Sequence, residues 1–126
     1  MKLGKALENY LKAILILKKK QGEQNVRSTD VAAFLEVSKP SVSHAMKVLK
    51  ENGYITMNEH YYIFFTEKGY KIAAQIYEYY LFFVERLVDV GVDRETAEKE
   101  ACRIEHCISE ESFQKLKKSV GNKASG

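Results

Sequence analysis

Cysteine, proline and tryptophan are scarce in this chain, and each shortage narrows the class of protein. The 126 residues contain two cysteines, one proline and no tryptophan. Two cysteines five positions apart argue against a disulfide framework, which is the usual scaffold of small secreted domains. No apolar run approaches the ~20 residues of a membrane span, and charged residues interrupt the N-terminus. We therefore expect a cytoplasmic protein without a signal peptide or a membrane partner.

Positive charge is concentrated in the first half of the chain. Residues 1–53 contain ten Lys and Arg against five Asp and Glu, whereas residues 54–126 contain ten against twelve. An anionic partner is therefore expected to meet the N-terminal half. A solvated charged surface produces the same bias, so charge alone does not identify the partner.

The spacing of apolar residues predicts a mainly α protein. Leucine and isoleucine recur every three or four positions over residues 3–20, which is typical of an amphipathic helix. Two short helices follow around a tight turn, where Ser28 or Thr29 is expected to cap the first helix and Ser38 the second. The segment YITMNEHYYIFF predicts a two-stranded hairpin. Three helices and a hairpin are the order of a winged helix-turn-helix, predicted here for residues 1–66.

The last helix of this motif has the chemistry of a DNA-recognition helix. Its inner stripe is apolar, and its opposite side carries short polar groups near the N-terminus and lysines further along. A winged helix that binds protein is the alternative. The hairpin is expected to be structural or a weak backbone contact, because no Lys or Arg lies between Gly53 and Lys68. The predicted DNA contacts are Ser28, Lys39, Pro40, Ser41, Ser43, His44 and Lys47.

Residues 67–118 are predicted to form a helical dimerisation domain. The centre of its first helix, which Thr66 can cap, is aromatic or apolar on nearly every side, and a second copy of the chain would cover it. A helix from Asp93 to about Cys107 and a short one capped by Ser109 are expected to follow. Residues 119–126 are small and polar and are predicted to form a flexible tail.

The string ACRIEHCISEE, residues 101–111, contains a candidate metal site. Cys102, Glu105 and His106 lie at i, i+3 and i+4, on one face of the expected helix. A thiolate, a carboxylate and an imidazole suit Fe(II), Co(II), Ni(II) or Zn(II) better than Mn(II). In the alternative reading, Cys102 is a core thiol beside two surface polar residues. An enzyme that uses Cys102 as nucleophile and His106 as base is not expected, since no oxyanion-hole loop and no Gly-rich segment lies nearby, and no catalytic residue is predicted. Cys107 is expected in the core.

Taken together, these motifs resemble the diphtheria toxin repressor and manganese transport regulator family of metal-dependent repressors. LENYLKAIL is similar to the family's first helix, VSKPSVSHAMKVLKENGYI to its recognition helix, TEKG to the start of its dimerisation helix, and EACRIEH to its Cys-x-x-Glu-His ligand motif. The resemblance implies a homodimeric two-domain repressor of double-stranded operator DNA, with no small organic substrate. It implies a divalent transition metal, with Fe2+ favoured and Mn2+, Zn2+, Co2+ or Ni2+ as alternatives.

The resemblance carries the metal ligands over only in part. Cys102, Glu105 and His106 match the motif, and the first-helix ligand position falls on Asn9. Lys12 occupies a further family ligand position, where a lysine beside a divalent ion is unfavourable. Because further ligand positions of the family are also changed, a second metal site is not expected. The alternative is a DNA-binding regulator that has lost metal control or senses oxidation through Cys102. Other family ligand positions hold Lys12, Tyr79 or Tyr80, Phe83 and Glu98.

Overall fold

The computed structural model describes residues 3–125, with side chains placed for residues 3–121. Within that range the chain forms six helices and a two-stranded sheet, so the predicted mainly α winged-helix class is confirmed. None of these helices combines the length and apolar character that a membrane crossing requires. Two compact units divide between Gln75 and Ile76. The elements are α1 (Lys5–Gln21), α2 (Ser28–Leu35), α3 (Lys39–Glu51), β1 (Ile55–Met57), β2 (Ile63–Phe65), α4 (Glu67–Asp89), α5 (Arg94–Ile104) and α6 (Glu110–Ser125).

Short polar side chains begin four of the helices, as the sequence predicts. Each accepts a hydrogen bond from the amide three residues later, which satisfies one of the free N–H groups of the first turn. The donor–acceptor pairs are Ser41–Ser38 at 3.2 Å, Gly69–Thr66 at 3.1 Å, Thr96–Asp93 at 3.0 Å and Ser112–Ser109 at 3.1 Å.

The start of α2 differs from the prediction of a Ser28 or Thr29 cap. α2 begins at Ser28 itself, and Arg27 is the residue before the helix. The Arg27 amide donates to the Asp30 carboxylate at 2.8 Å, and the Asp30 amide donates back to the Arg27 carbonyl at 3.0 Å. The acid three positions into the helix therefore fixes the start, because its carboxylate reaches back to the preceding amide.

The core of the first unit lies between α1, α2, α3 and the wing, the hairpin of β1 and β2. Its apolar side chains come from every one of these elements. The predicted apolar inner stripe of α3 is confirmed, since its four members, Val42, Ala45, Met46 and Leu49, are all buried. The most buried residues include Leu11, Ile14, Val31, Val42, Ala45, Met46, Leu49, Tyr54, Ile55 and Ile63.

The wing is the predicted antiparallel hairpin, with Ile55 opposite Phe65 and Met57 opposite Ile63. Its turn is held by the Asn58 side-chain oxygen, which accepts hydrogen bonds from the amides of residues 60 and 62, both at 3.0 Å. Tyr61 follows with φ 66 and is 71% exposed. The wing therefore ends in a rigid turn that presents an aromatic ring to solvent.

In the second unit, α5 and α6 cover part of the aromatic face of α4. The Phe113 ring of α6 lies 4.2 Å from the Tyr79 ring and 5.2 Å from the Phe82 ring, measured between centroids. A smaller buried cluster, in which Val84 packs with Ala97 and Ala101, joins α4 to α5. Residues 81–83 remain half-buried within one chain.

Two helix ends differ from the sequence prediction. α5 ends at Ile104 rather than near Cys107, because the backbone tightens: the amides of His106 and Cys107 bond to the carbonyls three residues earlier, at 3.3 and 2.9 Å. α6 does not end near residue 118, and residues 119–125 of the predicted flexible tail have a helical backbone. Gly121 is accommodated within that helix, and no proline follows to end it. Gly126 lies outside the described residues.

Candidate nucleic-acid interface and metal centre

The predicted DNA-contacting residues of α3 lie on one exposed side of that helix. About 3.6 residues make a helical turn, so positions 39, 43 and 47 fall in one row and positions 40 and 44 in the next. All of them are solvent-exposed, while the opposite stripe is buried. The exposed side therefore offers ammonium, hydroxyl and imidazole groups at one surface, from Lys39, Ser41, Ser43, His44 and Lys47, with the apolar ring of Pro40 among them.

Ser28 is brought from α2 to the start of α3. Ser28, Lys39 and Ser43 line a shallow cleft of about 100 Å³. Two hydroxyls and an ammonium at one cleft suit a phosphate oxygen, which accepts hydrogen bonds and carries negative charge. The structure thus brings the α2 residue of the prediction together with two residues of the α3 face.

The cap of α3 leaves Ser41 able to donate outward. Ser38 Oγ accepts from the Ser41 amide and donates to Ser41 Oγ at 2.8 Å. A hydroxyl group both donates and accepts, so Ser41 Oγ can bond a base edge or a phosphate as well as Ser38. Pro40, in the same turn, has no N–H to lose there.

Arg27 is a cation near the wing that sequence reasoning missed. Its guanidinium carbon lies 4.2 Å from the centroid of the Tyr62 ring, and residues 27 and 62 form an isolated antiparallel bridge. The sequence shows no cation inside the hairpin, because this one comes from the connection between α1 and α2. Only the long-range pairing places it there, and no local pattern encodes that pairing.

Glu105 and His106 form a buried pair in the turn after α5. Glu105 Oε1 and His106 Nε2 are 3.1 Å apart, and the residues are 3% and 8% exposed. The alternative in which both are surface polar residues is therefore wrong. Burial of polar groups of this kind is costly without partners, and these two atoms lie within ion-pair distance of each other.

The two cysteines occupy different environments. Cys102, on α5, is half-buried, while Cys107 is exposed. The expectation that Cys107 lies in the core is wrong, because α5 ends before it and the residue falls in the following turn. Neither thiol is in a disulfide.

Tyr80 of α4 lies near Glu98 and Cys102 of α5. Burial raises the pKa of Tyr80 to about 12, and the ionisable groups of Glu98 and Cys102 act in the same direction. Its phenol is therefore neutral near pH 7. Tyr79 instead packs on Phe113, so Tyr80 is the tyrosine that lies near the predicted ligands of α5.

The residues present do not assemble a complete metal site. Within residues 3–121, no three or more His, Cys, Asp and Glu side chains are grouped so that they could hold an ion. Two adjacent donors, on Glu105 and His106, do meet. Asn9 is half-buried in α1, where it lines a cleft of about 230 Å³ together with Leu35 and Val37. The four-ligand set therefore remains a prediction.

A winged helix-turn-helix with a polar, basic recognition helix defines the class of DNA-binding regulators. Within it, the model described as iron dependent repressor, N-terminal DNA binding domain, matches residues 2–61. The model described as iron dependent repressor, metal binding and dimerisation domain, matches residues 66–125. The chain therefore belongs to the iron-dependent repressor family, that of the diphtheria toxin repressor and the manganese transport regulators. This confirms the resemblance seen in the motifs.

Relatives of this chain are similar along most of its length. An uncharacterized HTH-type transcriptional regulator of Methanocaldococcus jannaschii is 31% identical over 119 residues, which cover 91% of this chain and 92% of that protein. The transcriptional regulator MntR of Escherichia coli O157:H7 is 34% identical over 107 residues, 85% of this chain and 68% of that one. Both are transcriptional regulators, and neither family model describes an enzyme.

A solved structure supports the fold. The metal-dependent transcriptional regulator MtsR superposes with a TM-score of 0.79 at 27% identity, over 91% of this chain. The match covers 53% of the MtsR chain, so this chain spans about half the length of that regulator.

Proposed function

We propose that the chain is a transcriptional repressor that binds a two-fold symmetric DNA operator as a homodimer, with α3 in the major groove. The observation that carries this function is the exposed face of α3, which combines lysines with hydroxyl and imidazole groups. Lysines neutralise phosphates and set the register, while Ser43 and His44 reach base edges. Two copies of α3 about one helical turn apart, roughly 34 Å, would read the two half-sites. Chromosomal DNA as partner implies action in the cytoplasm.

Dimerisation through the second unit is supported by the aromatic face of α4. Residues 81–83 stay half-buried after α6 has docked, so apolar area remains for a partner copy. The match of residues 66–125 to a dimerisation domain supports the same assignment.

Salt-dependent operator binding tests the proposal directly. DNA upstream of its own gene would be titrated with the full chain at several salt concentrations. Phosphate neutralisation predicts that log K falls linearly with log salt. Binding that is absent, or equal for all sequences at every salt concentration, would contradict sequence-specific recognition by α3.

We propose a divalent transition metal as the effector, with Cys102, Glu105, His106 and Asn9 as ligands and Fe2+ favoured. The donor types support this choice, since thiolate and imidazole suit Fe2+, Zn2+, Co2+ or Ni2+ better than Mn2+. The match to a metal-binding domain also supports it. Against it stands the lack of a three-donor group among residues 3–121.

A regulator without metal control is the second candidate, and that same observation favours it. Metal content of the purified protein and operator affinity with and without chelator separate the two. Affinity that responds to Fe2+ or Mn2+ and loses the response in Cys102→Ala supports the metal effector. Unchanged affinity after chelation, with a neutral Cys102→Ala, supports the second candidate. A response to peroxide that Cys102→Ala abolishes would assign redox control.

A further inference from the structure

Lys18 is buried although the next two residues, Lys19 and Lys20, are exposed. It lies in the last turn of α1 and is 3% exposed. Its ammonium donates to the carbonyl of Ile63 in β2 at 2.7 Å and to the carbonyl of Glu23 in the α1–α2 connection. One side chain therefore joins the end of α1, the following connection and the wing.

The carbonyl of Ile63 needs this donor because of its place in the wing. The Ile63 amide donates to the Val26 carbonyl at 2.8 Å, on the side of β2 away from β1. In an extended strand the carbonyl of a residue points to the same side as its amide. Ile63 is fully buried, so water does not serve that carbonyl. Lys18 takes the place of the N–H that a longer third strand would present.

Burying the charged ammonium of Lys18 costs desolvation free energy, so its presence indicates a specific role for the charge. Burial lowers the pKa of Lys18, and the nearby Glu23 charge opposes that shift only in part. A methionine would bury a stem of similar length without desolvating an ammonium. The ammonium also lies 4.8 Å from the centroid of the Phe64 ring, a second contact to β2 that requires a cation. The contacts that only an ammonium can make are contacts to the wing and to the connection beside it.

The exposed face of the wing has the chemistry to meet a DNA backbone. Arg27 stacks on Tyr62, which orients its guanidinium while leaving the charge at the surface. Tyr61, next to it, is exposed at the rigid turn. These three residues are called the wing face below.

We infer that Lys18 is a positioning residue for operator binding: it fixes the wing to the end of α1 so that the wing face contacts the DNA backbone beside α3. The inference rests on the proposed DNA-binding function. Lys18 itself does not touch DNA, because it is buried, and acts through the placement of Arg27 and Tyr61.

The test compares Lys18→Met with Lys20→Met in operator titrations. Both variants lose one positive charge from the last turn of α1, but only Lys18→Met removes the bonds to the wing. We expect Lys18→Met to weaken operator affinity about tenfold, because the displaced wing face loses the charged contact of Arg27 with a phosphate, and to speed hydrogen exchange at the Ile63 amide. Lys20→Met should change affinity less than threefold, as one surface charge does. Equal effects of the two variants would overturn the inference.

A double-mutant cycle with Arg27→Ala separates positioning from general loss of stability. If Lys18 acts through the wing face, Lys18→Met adds less than twofold to the affinity loss in the Arg27→Ala background. Full tenfold losses in both backgrounds would overturn the inference while leaving the proposed function in place. Wild-type protein that binds no DNA would overturn both. If Lys18→Met fails to fold, Lys18→Gln, which keeps a neutral donor on a shorter stem, replaces it in the cycle with Arg27→Ala. The results are then interpreted in the same way.

Discussion

In the proposed function, single residues on the exposed side of α3 are expected to make different kinds of DNA contact because their chemistry differs. Lys47 presents a flexible point charge, which suits any phosphate, whereas the His44 imidazole has directional ring nitrogens that suit one base edge. Both are exposed, so neither has a packing role that would mask its contribution to binding. Substitutions of Lys47 and His44 should therefore differ in their effects on salt dependence and on sequence discrimination. A single affinity measurement would not separate these effects.

Lys47→Ala is expected to weaken binding to all DNA sequences alike and to reduce the salt slope by about 1 per protomer. His44→Ala should leave the slope unchanged and reduce discrimination at one base pair of each half-site by about 1 kcal/mol. Titrations of operator and single-mismatch duplexes at several salt concentrations measure both effects. Lys115→Ala, an exposed lysine of α6 paired with Glu111, is the control and should change neither. A changed slope in His44→Ala would assign it to phosphate rather than base contact.

At Gly69 the close approach of the Tyr54 backbone leaves no room for a side chain, so only glycine fits. A Cβ at position 69 would lie 1.8 Å from the Tyr54 carbonyl oxygen, whereas a Cβ at Gly121 meets nothing within 4 Å. Gly69→Ala is therefore expected to destabilise the protein by about 3 kcal/mol or more, through forced displacement of backbone. Gly121→Ala should stabilise it by about 0.5 kcal/mol, because alanine favours helix. Urea unfolding of both variants measures the difference, and similar stabilities would contradict this packing.

Among the elements, α5 depends on a single charged cap. The Asp93 carboxylate accepts from the Thr96 amide at 3.0 Å and from the Thr96 hydroxyl at 2.8 Å. These bonds favour the ionised form and lower the pKa of Asp93 below its ordinary value. A lowered pKa in the folded state means that the stability is present above the ordinary pKa and is lost as the pH falls through the folded one.

We expect Asp93→Ala to lower the melting temperature by a few degrees at pH 7, and the difference from wild type to shrink below about pH 4. Asp93→Asn keeps an acceptor for the Thr96 amide and should retain most of the cap at both pH values. Thermal melts at pH 7 and pH 3 test these expectations. If the melting temperatures of Asp93→Ala and wild type differ as much at pH 3 as at pH 7, the charge of the Asp93 carboxylate does not contribute to the cap.

The packing of α6 on α4 is concentrated in one aromatic side chain. Phe113 is fully buried and contacts the rings of Tyr79 and Phe82, whereas Leu116, three residues later, is 44% exposed. Phe113→Ala is expected to destabilise the protein by about 3–5 kcal/mol, because the cavity has no side chain to fill it. Leu116→Ala should cost less than about 1 kcal/mol. Equilibrium unfolding in urea measures the free energy of unfolding of both variants. A Phe113→Ala variant as stable as Leu116→Ala would mean that the Phe113 ring does not hold α6 against α4.

Short-range signals predicted most of these elements, and long-range contacts account for the rest. Ser38, Thr66, Asp93 and Ser109 cap helices through bonds to residues three positions away, which a sequence pattern contains. The end of α5 depends on a tightened last turn, and the length of α6 on the absence of a strong stop signal, so both were misjudged. The pairing of Arg27 with Tyr62 joins segments that no local pattern relates. The candidate metal residues followed from a motif, but their grouping depends on the packing around them.

For the molecule as a whole, the proposed function requires two recognition helices at a fixed separation. Each chain carries one α3, and the dimerisation domain is a separate part of the sequence from the DNA-binding domain. Tight binding then comes from simultaneous contact with two half-sites, in which the first contact raises the effective concentration of the second. Such gain exists only when the DNA presents both half-sites on the same side of the double helix.

Changing the half-site spacing is therefore expected to reveal the dimer more directly than any point substitution. Inserting about 5 base pairs turns one half-site roughly half a turn away, and affinity should fall by about 100-fold or more, to that of an isolated half-site. Leu81→Glu protein, altered at the half-buried surface proposed for the partner copy, should bind the natural and the expanded operator equally if it remains folded but dissociates. Sedimentation at the concentrations of the titration checks the oligomeric state in each case. Affinity that is insensitive to spacing in a protein shown to be dimeric would mean that its two α3 helices do not bind one operator together.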